Sequence, residues 1–152
     1  SNSFEEISRS VNFIKGIDHE IKLHISYCKK WRIPLKSLNN TIVEKANSAY
    51  TNHVLKIAKS GNNLDIFSCL SACIIGYGEI GFKLSKIKNW KNSKYSSWIK
   101  MYSSKKYQHV AKDNINYLDI LFKNYKNKNL TKLKKNFKKS TVLEKNFWEC
   151  FV

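Results

Sequence analysis

One proline and five glycines are spread over 152 residues, too few to punctuate a chain into short strands and tight turns. No alternating apolar and polar run carries a hairpin signal. A β-rich fold is therefore excluded. No run of 18 or more apolar residues is available to cross a bilayer, and no basic flank leads into an apolar core at the start. The four cysteines, Cys28, Cys69, Cys73 and Cys150, have no CxxC spacing and form no disulfide framework. Cys69 and Cys73 lie one helical turn apart, which separates their Cβ atoms by about 5–6 Å, beyond the roughly 3.5–4.5 Å a disulfide needs. All four are expected as thiols in a soluble, unexported, cytoplasmic protein. Ser1-Asn2 has the look of an expression-tag remnant and carries no structural weight.

Acidic residues are scarce, 11 against 28 basic ones, and the formal charge is +17. The excess is uneven: residues 1–76 hold 10 Lys/Arg and 6 Asp/Glu, and residues 77–152 hold 18 and 5. Only Arg9 and Arg32 are arginines, which is the wrong bias for reading bases or gripping phosphates in bidentate fashion. With 17 asparagines and frequent isoleucine beside the lysines, the composition is that of solvated surfaces encoded by an AT-rich genome. The acid-free stretch "KNYKNKNLTKLKKNFKK" (123–139) attracts polyanions non-specifically at most. No specific nucleic-acid partner and no membrane are expected.

What is present is helical periodicity, and the expected class is all-α with one domain over 1–152. Phe4, Ile7, Val11 and Ile14 recur at 3–4 spacing, and Ile21, Ile25 and Cys28 resume the pattern, as one long helix or two joined at Gly16. "RIPLKSLNN" reads as a loop, and Thr41 as the cap of a helix to Lys59 with Ala46, Tyr50, Val54 and Ile57 on one face. Ser60 to Asn63 break it. Residues 64–87 are apolar nearly all round, as in a central buried helix. "KNWKNSK" reads as a polar loop and "YSSWIKMY" as a short helix. Ser103-Ser104 caps a helix to Lys126, and a last helix spans Leu130 to Cys150.

Several polar groups sit on these apolar stripes. On the 64–87 helix, Ile66, Cys69, Cys73, Tyr77, Ile80 and Leu84 share one stripe, and Ala72, Ile75, Glu79 and Phe82 the next. A cysteine there is ordinarily a small hydrophobe, whereas a buried carboxylate needs a partner. On the last helix Leu133, Phe137, Thr141, Glu144, Phe147 and Trp148 share a face, placing Glu144 among aromatics where burial raises its pKa. Tyr50 and Tyr102 lie on apolar surfaces too. A thiol, a core carboxyl and several phenols without a metal-ligand pair describe covalent catalysis on a flat heteroaromatic.

Five segments, in order, resemble the TenA family (thiaminase II, aminopyrimidine aminohydrolase). "EIKLHISYCKKWRI" resembles its E-x-x-L-H-x-x-Y segment and "SAYTNHVLKIAKSGN" its A-Y-x-x-x-L-x-x-A-x-x-G segment. "ACIIGYGEIG" is similar to P-C-x-W-x-Y-x-E-I-G, "YSSWIKMYSSKKY" to Y-x-x-W-I-x-x-Y-x-S, and "STVLEKNFWE" to S-x-x-x-E-x-x-F-W-[DE]. The resemblance implies a haem oxygenase-like helical bundle and hydrolysis at the aminopyrimidine of thiamin or its degradation products. By resemblance Cys73 is the nucleophile and Glu144 the acid/base, with Tyr50, Tyr77, Tyr102 and Phe147 at the substrate. It implies a homo-oligomer, tetrameric in the family, and no metal or other cofactor.

Ala72 stands where the family has proline, and Ile75 where it has an aromatic. No residue in Ser1 to Ile17 matches the family's pyrimidine-binding aspartate, so the chain is expected to lack the opening helices. Two alternatives stand beside this reading. One is an inactive or split remnant. The other is a metal-dependent oxidase of the same fold, for which His109, Asp113, His24 and Glu20 are conceivable ligands.

Overall fold

A computed structural model of the chain describes residues 4–150, so Ser1 and Asn2 lie outside the described residues. Every regular element among the described residues is helical. They form two compact units that meet in sequence between Val43 and Glu44.

In the first unit, α1 (Phe4–Lys30) runs through Gly16 unbroken, which decides between the one-helix and two-helix readings. It ends where Arg32 takes a left-handed conformation (φ 57°) and the Ile33 N–H reaches back to the Cys28 carbonyl at 2.8 Å, a Schellman-type closure. The stretch expected as loop holds one helical turn, α2 (Leu35–Leu38), entered through Pro34, whose fixed φ suits that position. Thr41 does not cap the next helix. Its hydroxyl donates to the Ser37 carbonyl at 3.0 Å instead.

The second unit holds α3 (Lys45–Ser60), α4 (Asn63–Leu84), a 3-10 turn at Trp90–Asn92, α5 (Ser96–Tyr102), α6 (Lys105–Asn124) and α7 (Leu130–Glu149). The turn lies within the expected polar loop. The break before α4 is a capping box: the Asn62 side chain accepts from the Asp65 N–H at 3.0 Å, and the Asp65 carboxylate accepts from the Asn62 N–H at 3.3 Å. Ser104 caps α6 through the Tyr107 N–H, as expected, and Asn129 caps α7 through that of Lys132.

α4 is the centre, with α3, α5, α6 and α7 packed on it. By length and apolarity alone it could cross a membrane; the surrounding helices account for that composition. Directions follow from contacts. Lys132 reaches Asp65, and Tyr77 reaches Glu144, and both pairs span 67 residues, so α7 runs parallel to α4 in constant register. Ser71 bonds Asn114 while Gly78 bonds Gln108, so α6 runs antiparallel. Leu64, Tyr117, Leu121 and Leu133 make the apolar core at one end, with Phe67 edge-on to Tyr117 at 4.9 Å. Each such side chain stabilises by about 1.5–3 kcal/mol.

The buried positions of α4 are mostly small or polar: Asp65, Ser68, Cys69, Ser71, Ala72, Gly78 and Gly81 beside Leu64. Small residues let helix backbones approach, so the face is set by closeness rather than by bulk. Ile80 and Phe82 are consequently exposed. Glu79, expected on a buried stripe, is exposed and pairs with Lys83 at 3.4 Å. α7 is likewise rotated from the expected face. Leu133, Asn136 and Ser140 are buried, whereas Phe137 and Thr141 are exposed. Every lysine in 123–139 is exposed, making that charge run a solvated surface.

Candidate active site

Three helices of the second unit converge on one carboxyl. Glu144 on α7 is half-buried, and the Tyr77 hydroxyl, from α4, donates to its Oε2 at 3.2 Å. The Cys73 thiol, one turn before Tyr77, is a second hydrogen-bonding neighbour of the carboxyl. From α3 the Tyr50 hydroxyl faces the same group, buried and without a hydrogen bond of standard geometry. Parallel α4 and α7 in fixed register place Cys73 and Tyr77 along one side of Glu144. The i, i+4 spacing of those two residues does the rest.

Electrostatics follow from this enclosure. Burial raises the Glu144 pKa, and the bond from Tyr77 and the nearby Cys73 and Tyr50 groups only partly offset it. Burial also pushes the Tyr50 phenol far up, and negative charge on Cys73 or Glu144 pushes it further. Tyr50 therefore stays protonated and acts as a donor or a wall.

An aromatic cluster backs the carboxyl. The Tyr77 ring lies 5.3 Å from Tyr102, 5.9 Å from Trp98 and 5.8 Å from Trp148. Tyr102 is fully buried, and its ring also meets Trp98 at 4.4 Å and Tyr107 at 4.7 Å. Tyr102 thus supports Tyr77 from behind. The half-buried Phe147 has its ring 6.2 Å from Trp148. Gln108 ties this wall to α4 by donating to both the Gly78 and the Tyr102 carbonyls at 2.9 Å.

Of the residues expected at the site, Tyr50, Cys73, Tyr77 and Glu144 come together, and Tyr102 joins through the Tyr77 ring. Trp98 and Trp148 belong to the same cluster, although the sequence reading did not name them as site residues. The signal was there, since both lie inside the quoted W-I and F-W blocks. Two surface concavities of about 760 and 400 Å³ lie along the 3-10 turn and α5, and neither is lined by Cys73, Tyr50 or Glu144. His109 and Asp113 pair with each other at 3.2 Å on the solvent side of α6. Among the described residues no three His, Cys, Asp or Glu side chains cluster as metal ligands.

The model of the TENA/THI-4/PQQC family matches residues 1–151. The chain is 32% identical over 131 residues to an aminopyrimidine aminohydrolase from Halalkalibacterium halodurans, covering 86% of this chain and 58% of that protein. It is 31% identical over 145 residues to an aminopyrimidine aminohydrolase from Helicobacter pylori, covering 95% and 66%. A crystal structure of a TenA family transcription regulator from Silicibacter sp. TM1040 superposes with a TM-score of 0.88 at 30% identity, covering 99% of this chain and 69% of that one. The chain thus spans about three fifths to two thirds of the length of these two aminohydrolases. The helical bundle is the haem oxygenase-like fold, and the chain belongs to the TENA/THI-4/PQQC family.

Proposed function

We propose that this chain carries a thiamin-salvage hydrolase acting on the aminopyrimidine of thiamin or of its degradation products, with Cys73 as nucleophile and Glu144 as acid/base. The observation that carries the reading is the half-buried Glu144 carboxyl held by Tyr77 and flanked by Cys73 and Tyr50. Two relatives above 30% identity bear the name aminopyrimidine aminohydrolase, which supports the same substrate class.

The chemistry follows from the neighbours. A thiol of ordinary pKa near 8.5 is mostly protonated at neutral pH and needs a nearby acceptor. Glu144 takes the Cys73 proton as sulfur adds to an electron-poor carbon of the pyrimidine. The displaced electron pair moves through the ring and expels the amine from the side-chain carbon, and the Glu144 proton leaves with it. Water adds at that carbon and gives up a proton to Glu144, which returns it to the departing Cys73 sulfur as the ring is restored. The net change is replacement of amine by hydroxyl with release of ammonia. Tyr77 orients the carboxyl, Tyr50 and Phe147 bound the space for the flat ring, and the buried Tyr102 backs Tyr77 rather than meeting the ring itself.

Assembly belongs to the same reading. None of the described residues of α1 is buried, and Phe4, Ile7, Val11 and Ile14 are exposed along it. Apolar stripes of this kind favour burial in an oligomer, and sedimentation of the protein reads the association directly. The functional test is ammonia release from an aminomethylpyrimidine, with and without chelator. Chelator-insensitive turnover that collapses in Glu144→Gln supports the hydrolase. Turnover abolished by chelator and unaffected by Glu144→Gln favours the metal-dependent alternative.

A further inference from the structure

Below the Tyr50, Cys73 and Glu144 cluster, α3, α4 and α7 bury a second polar layer. Cys69 and Ser140 are 0% exposed, Asn136 7% and His53 8%. Each helix contributes to both layers about one turn apart: Tyr50 and His53 on α3, Cys73 and Cys69 on α4, Glu144 and Ser140 on α7. His53 Nε2 lies 3.8 Å from Cys69 Sγ. The Asn136 carbonyl faces the imidazole, and the Ser140 hydroxyl faces the Cys69 sulfur. Neither Ser140 Oγ nor Asn136 Nδ2 makes a hydrogen bond of standard geometry.

Such a layer is a poor way to gain stability. Each buried polar group with incomplete bonding is destabilising, and apolar residues of like volume often stabilise such positions better. Its physical use lies elsewhere. Apolar contacts tolerate a helix sliding or rotating against its neighbour, whereas a misaligned polar layer leaves buried groups with no partner at all. A neutral imidazole has one N–H and one bare nitrogen. With the Asn136 carbonyl on one side and the Cys69 thiol on the other, the ring bridges α3 to α7 and α4 at once.

We propose that His53, Cys69 and Ser140 are positioning residues whose buried layer fixes the register of α3, α4 and α7 and so holds Tyr50 and Glu144 against Cys73. The proposal rests on the catalytic roles given to Cys73 and Glu144. None of the three touches substrate; they act through the layer above. Displacing a catalytic group by about 1 Å costs up to 100-fold in rate, which sets the size of the effect.

The test is the double variant His53→Leu/Ser140→Ala, which turns the layer apolar. It should keep its helical circular dichroism and a thermal midpoint at or above wild type. kcat for ammonia release should fall about 10- to 100-fold, with KM changed far less. The second readout needs no substrate: iodoacetamide labelling of the Cys73 peptide against pH, measured by mass spectrometry. The groups facing Cys73 are Glu144 and Tyr50, with Cys69 and Tyr77 one turn either side, so loss of register should shift that profile. His53→Gln, which keeps a donor and an acceptor, should restore both readouts. If the double variant does not fold, Cys69→Ala is read by the same two measurements. A folded apolar variant with wild-type kcat and an unshifted profile overturns the proposal, as does His53→Gln behaving no better than the double variant. A wild-type protein without hydrolase activity refutes the functional reading alone, and the labelling profile then decides the positioning role.

Discussion

The close approach of α5 to α4 at Gly81 makes Gly81→Ala a sharp test of how the site is held. Alanine in place of glycine inside a helix ordinarily stabilises by about 1 kcal/mol. At Gly81 the added Cβ would lie 2.5 Å from the Tyr102 Cβ and 2.8 Å from its carbonyl carbon. Ordinary contact begins at 3.4 Å, so α5 must retreat by about 0.9 Å, the difference between 3.4 and 2.5 Å. No rotamer change relieves a clash with Cβ and backbone. Overpacking of this kind costs roughly 1–3 kcal/mol, which exceeds the propensity gain and leaves a net loss of up to about 2 kcal/mol. Tyr102 carries the displacement to Tyr77, whose ring it meets at 5.3 Å and whose hydroxyl holds Glu144. Activity should therefore fall as well, by up to 100-fold for a shift near 1 Å. Gly76→Ala on the same helix is the control, since nothing lies within 4 Å of its added Cβ. Urea unfolding should rank Gly76→Ala above wild type and Gly81→Ala below it. A Gly81→Ala protein more stable than wild type would refute the packing argument.

Other consequences follow from the same contacts. Removing the Tyr77 donor with Tyr77→Phe deletes a bond that lowers the Glu144 pKa, so the ionisation of Glu144 in the pH–rate profile should move to higher pH. Glu144→Gln should flatten the pH dependence of stability. Because the folded pKa of Glu144 is raised, the native state holds its proton where the unfolded chain has lost it. Wild-type stability therefore falls as pH rises from about the unfolded value of 4.5 through the folded pKa, and the glutamine variant should not lose it. Asp65→Ala removes one arm of the capping box and the bond from Lys132 at 2.8 Å. Lys132 stays half-exposed and rehydrates, so the loss in urea unfolding should be about 1–2 kcal/mol.

The helices were legible because their apolar spacing is regular and the chain has few breakers. Cys73, Tyr77 and Glu144 were legible for a different reason: polar groups on apolar stripes, at spacings that also match family blocks. What escaped was the identity of the tightest contacts. His53, Asn136 and Ser140 look like surface residues in a lysine-rich chain, yet they are among the most buried groups in the second unit. Hydrophobic periodicity favoured Phe137 over Asn136 and Ser140 because it ranks bulk, while α3, α4 and α7 approach at small polar residues. Glu79 failed for the converse reason. Its apolar neighbours Ile80 and Phe82 are themselves exposed, so the stripe on which it was placed ends before it. Thr41 was misread as a cap because its hydroxyl serves the preceding turn, and sequence alone does not tell which helix a threonine closes.

The central claim is that Cys73 supplies the attacking sulfur. Ammonia release from an aminomethylpyrimidine by wild type, Cys73→Ala and the control Cys28→Ala tests it most directly. A nucleophile that works as a unit with its acid/base carries nearly the whole rate, so Cys73→Ala should lose on the order of 10⁴-fold or more. Cys28→Ala should turn over like wild type. Cys73→Ala hydrolysing at the wild-type rate would contradict the account.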